Sequence, residues 1–132
     1  MGVIQLRSPL ILLLVMAALL VGCDPPSEEA DPERPISVTL LTTPARVGPA
    51  AIEVRVKQLD QPVSGATIEV VGDMTHAGMV PIVTTQAAEA SPGVYISEGF
   101  EFDMVGDWVI TATVAFPDGA VRRGTLTLSV RR

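Results

Sequence analysis

The residues that could do chemistry fall almost entirely in one stretch, Asp73-Met74-Thr75-His76-Ala77-Gly78-Met79, which holds the single histidine and two of the five methionines. In an extended segment Met74 and His76 point the same way, with Cα atoms about 6.5 Å apart at ~3.3 Å rise per residue. Gly78 frees the backbone to bend, which would return the Met79 sulfur toward the same point. Two thioethers and an imidazole form a soft donor set suited to copper(I). Zinc fits less well, because thioethers are poor zinc ligands and there is one imidazole. Met104 is a further candidate, either completing the set or packing against Trp108. The competing reading is structural: methionine fills gaps at the end of a core, and a lone loop histidine is often only solvated.

Catalytic constellations are missing. A nucleophilic triad would have to use His76, and no serine sits in a Gly-x-Ser-x-Gly turn. Glu101 and Asp103 share a strand face but read as solvated residues beside a turn. No glycine loop suited to phosphate is present. The expectation is therefore a non-enzymatic module. A net charge of −6 over 132 residues also excludes a nucleic-acid binder working by charge.

The elements that position this stretch follow a long preamble. Arg7, an apolar run from Pro9 to Val21, and then Gly22-Cys23 make the three-part layout of an export signal over residues 1–22. The run is too short for a transmembrane helix, which needs about 20 apolar residues. Leu20-Val21-Gly22-Cys23 resembles the lipobox of bacterial lipoproteins, which implies a diacylglycerol thioether on Cys23. Two acyl chains suffice for stable anchoring to a membrane. Asp24 resembles the inner-membrane retention signal of some double-membraned bacteria. With Cys23 so occupied, the rest of the chain has no thiol for disulfides, nucleophilic catalysis or thiolate metal sites. Residues 23–35 then read as a hydrated tether, since Asp24 to Pro35 contain four prolines, five acids and one base.

From residue 36 to 132 the apolar period is two. Ile52-Glu53-Val54-Arg55-Val56-Lys57 alternates as a half-buried strand should, and Trp108, Ile110, Ala112, Val114 and Phe116 define another core face. Turn residues divide the region into about seven strands, at 36–43, 50–58, 65–72, 80–86, 93–102, 107–116 and 120–130. That spacing predicts an all-β, immunoglobulin-like two-sheet sandwich. Pro117-Asp118-Gly119 predicts the hairpin before the last strand. Val94, Ile96, Phe100 and Phe102 are expected on one face, with a bulge at Glu98-Gly99 turning the carboxylate outward.

Pro62-Val63-Ser64-Gly65-Ala66, Met74-Thr75-His76-Ala77-Gly78-Met79, Gly93-Val94-Tyr95 and Phe102-Asp103-Met104-Val105-Gly106-Asp107-Trp108, in this order, resemble the YtkA-like domain, which is related to the FixH family. The resemblance spans about Val38 to Val130. It implies a sandwich outside the cytoplasm, with the FixH branch tied to copper handling and cytochrome oxidase assembly. It makes Met74, His76 and Met79 the methionine and histidine loop, and Tyr95, Met104, Gly106 and Trp108 the packing signature. The chain departs from the pattern in carrying only one histidine in that loop, and in having a cleavable leader where FixH proteins commonly keep a membrane helix. The expected function is a lipid-anchored envelope module, facing the periplasm or exterior, that meets an envelope protein partner and takes copper(I). The alternative is a structural interaction domain without metal, meeting its partner through a sheet face or edge strand.

Overall fold

A computed structural model describes residues 33–132 except 77, 79, 81 and 85, and the side chains of 82–84 are likewise outside the description. The leader, Cys23 and most of the tether therefore lie outside the described residues. The described chain is all β. Its strands are β1 (Ile36–Leu40), β2 (Gly48–Gln58), β3 (Gln61–Pro62), β4 (Thr67–Met74), β5 (Ile82–Thr84), β6 (Ala88–Ser91), β7 (Val94–Phe102), β8 (Gly106–Ala115) and β9 (Val121–Val130). One sheet runs β1-β2-β7-β6, with β3 paired to β2, and the other runs β5-β4-β8-β9. Every strand pairing is antiparallel. Among the described residues no helix is long and apolar enough to cross a membrane.

The alternation in sequence becomes the two inner faces. Ala50, Ile52, Val54 and Val56 of β2 are buried opposite Ile68 and Val70 of β4 and Trp108, Ile110, Ala112 and Val114 of β8. The aromatic residues mesh edge to face, with ring centroids 5.1 Å apart for Phe100 and Phe102 and 5.3 Å for Phe102 and Trp108. Gly72 makes room for this cluster. A Cβ on it would come within 2.3 Å of Phe100 Cζ.

The bulge falls where expected but changes the phase of β7. Ala50 pairs with Phe100 while Ile52 pairs with Ser97, so β7 carries one extra residue at Glu98-Gly99. Glu98 is exposed, and the buried set is Tyr95, Ser97, Phe100 and Phe102. Val94 and Ile96 are thus half-buried on the outer side, contrary to the period-two reading, because the inserted residue reverses the facing of everything before it. Two strands were also illegible in the alternation: β3 and β6 are two and four residues long and wholly exposed. The turn into β3 is tight, with Leu59 and Asp60 at φ 47° and 63°.

The sandwich has two poles. At one, which we call the stem pole, lie residues 33–35, the turn at 59–60, the turn at 92–93 and the hairpin at 117–119. That hairpin has Gly119 at φ 89° and an Asp118 carboxylate that accepts from the Ala120 N–H at 3.0 Å. At the other, the loop pole, lie residues 41–47, 75–76, 103–105 and 131–132. There the Val47 N–H donates to the Arg131 carbonyl and the Arg131 N–H to the Ala45 carbonyl, both at 3.1 Å, which ties the two sheets together.

Candidate metal-binding loop

The Met74-His76 segment leaves the end of β4, whose last residue pairs across the sheet with Trp108. One further hydrogen bond carries the chain past the strand end, from the Thr75 N–H to the Asp107 carbonyl at 3.1 Å. Beyond that bond the chain bends at Thr75 and His76. Met74 therefore keeps its inward facing and is only 9% exposed, while His76 is exposed. Its terminal methyl lies against Gly106, whose φ is 143° and where an added Cβ would sit 2.5 Å from Met74 Cε. Gly78 takes φ 90°, the positive value that its place in the segment suggests. Met79 lies outside the described residues, as does Cys23.

The β7–β8 loop abuts this segment. Trp108 is buried, and its indole N–H donates to the Met104 carbonyl at 3.2 Å, which fixes the loop over the ring. Met104 is 38% exposed, and its backbone carbonyl rather than its thioether makes the polar bond to Trp108. The Ser129 hydroxyl donates to Asp107 Oδ1 beneath the same loop. Val47, Val80 and Val105 are exposed at this pole as well.

Chemically the pole offers one accessible imidazole, one partly exposed thioether and one thioether at the core rim. Among the described residues no group of three or more His, Cys, Asp or Glu side chains is placed to hold a metal ion. The donor set that the residues do offer is soft, which fits copper(I) in donor type.

At the stem pole the sequence reading missed a polar clamp. Arg34 reaches Asp118 through two nitrogens, at 2.8 and 3.3 Å, and its guanidinium lies 5.0 Å from the centroid of the Phe116 ring. The Arg34 side chain donating to Asp118, helped by the Ala120 N–H, holds that carboxyl below its ordinary range. Hydrogen bonds from the Ser64 side chain and then the Gly65 N–H do the same for Glu89. Burial pushes the Tyr95 phenol up, so it remains a neutral donor. Arg34 is the one base in an otherwise acidic stretch, and that was the available signal.

The model of the YtkA-like family matches residues 31–113. The chain belongs to the YtkA-like family. Its fold is similar to that of a superoxide reductase (neelaredoxin) from Ignicoccus hospitalis, with a TM-score of 0.52 at 11% identity, covering 73% of this chain and 80% of that one. The soluble domain of PmoD from a Methylocystis species aligns with a TM-score of 0.45 at 12% identity, over 73% of this chain and 90% of that one. Murine CRIg aligns at 0.40 and 14% identity, over 73% and 96% of the two chains. At these identities the likeness of the YtkA-like chain to the reductase is one of fold alone. Among curated proteins there is no match to the chain.

Proposed function

We propose that this YtkA-like protein is a non-enzymatic, lipid-anchored module of the cell envelope that takes copper(I) through Met74, His76 and Met79 and passes it to or from an envelope protein. The observation that supports the reading is that residues of soft donor type lie on adjoining segments. Met74, His76 and Met104 all belong to the loop pole, on segments joined by the Thr75–Asp107 and Trp108–Met104 bonds. In this reading His76, already exposed, is the entry ligand, and Met79 follows it around Gly78. Met74 contributes by turning its thioether outward from Gly106.

The burial of Met74 favours a second reading, in which the segment is packing and the module is a metal-free interaction domain. X-ray absorption on the copper(I)-loaded protein separates them. A first shell containing sulfur and nitrogen supports the loop site, whereas a shell unchanged in His76→Ala removes it.

The anchoring part rests on Leu20-Val21-Gly22-Cys23 at the end of an export signal. In cells fed a labelled fatty acid, the wild-type protein should carry the label and partition with membranes. Cys23→Ser should lose both. A Cys23→Ser protein that stays membrane-bound would contradict acyl anchoring.

A further inference from the structure

We infer that the module hangs from its membrane by the stem pole, so that the loop bearing His76 faces away from the bilayer and meets its copper donor or acceptor on the aqueous side. The inference rests on the anchoring of Cys23 proposed above. Its own support is the way the chain enters the fold. Residues 33–35 are not a free leash but an extension of the β1–β2 pairing. The Leu59 N–H donates to the Glu33 carbonyl at 2.7 Å and the Lys57 N–H to the Pro35 carbonyl at 3.3 Å.

Arg34, between them, is turned to the other sheet and held by Asp118 and by the Phe116 ring. The exit of the anchor segment is therefore fastened to both sheets at one pole. The turn it fastens contains Leu59 at φ 47°, a conformation that a branched side chain seldom takes, and the bond from the Leu59 N–H to Glu33 helps hold it there.

The donor loop is at the far end of β4, whose eight residues set it roughly 23 Å from the stem pole. Cys23 is ten residues before Glu33, a covalent distance of no more than about 36 Å. The stem pole, where the tether joins the fold, is thus held within that reach of the lipid, and the loop pole is a strand length from that point of attachment. With the stem pole toward the lipid, a partner for His76 is a protein domain free in the compartment or standing clear of the lipid.

The test is energy transfer from a thiol-linked dye to acceptor-labelled headgroups, using full-length lipidated protein in phosphatidylcholine vesicles. Cys23 in thioether linkage takes no dye, so Gln61→Cys marks the stem pole and Asp103→Cys the loop pole, both exposed positions. Transfer from position 61 should exceed that from position 103 by at least about twofold, given the strand length between them. Equal or reversed transfer overturns the orientation. Failure of the anchoring reading has a different signature, since the parent chain would then take dye at Cys23 and would not float with the vesicles.

Discussion

Tyr95 and Ser97 stand two residues apart on the same buried face of β7, and each carries a hydroxyl into the core. The phenol is satisfied twice, donating to the Val63 carbonyl at 2.8 Å and accepting from the Ala66 N–H at 3.0 Å, so it pins the segment between β3 and β4. Ser97 Oγ has no partner among the described residues. Tyr95→Phe should therefore cost about 1–3 kcal/mol, since it strands two partly buried backbone groups, whereas Ser97→Ala should be neutral or stabilise by up to about 1 kcal/mol. Urea unfolding of the two variants checks the pair, and a Ser97→Ala loss equal to that of Tyr95→Phe would contradict it. Little of this was legible in the sequence. Tyr95 was recognisable as a packing residue, but its partners depend on where Val63 and Ala66 return in space. For the same reason the spacing of Met74 and His76 suggests a shared facing but not that the strand stops between them. Met74 is thereby buried and His76 exposed.

At the scale of elements, the longer strands were legible because each buries one face along an alternating run, and β2 and β8 follow that rule throughout. The reading failed where another constraint governs. In β7 the bulge reverses the facing of Val94 and Ile96. In β3 and β6 the pairing is too short to leave a periodic trace. The stem clamp lies in neither class, because it joins residues 84 positions apart through charge rather than pattern. It has a pH signature. Asp118 and Glu89 both titrate below their ordinary values in the folded state. Their stabilising contribution is accordingly complete above the unfolded carboxylate range near pH 4 and is lost as pH falls through the lower folded values. Thermal unfolding midpoints should hold from pH 7 to about 5 and fall below about 4. Asp118→Asn should show a shallower fall, and an unchanged profile in that variant would remove the clamp from the account.

Over the whole molecule, the fold separates two poles. One receives the chain at residues 33–35 and closes around Arg34, and the other carries the loops with Met74, His76 and Met104. The sandwich between them positions each pole. The two-sheet architecture was readable from the sequence. The opposition of the two poles was not, because it depends on which end of each strand the tether and the loop share. The central claim, copper(I) capture by the loop, is tested most directly by competition against a copper(I) chelator under reducing conditions. Wild type, His76→Ala and Met79→Ala should be compared in the same titration. The account predicts one copper(I) per wild-type chain and affinity lower by at least about tenfold in each variant, equivalent to about 1.4 kcal/mol. Equal, weak uptake by all three proteins would contradict it.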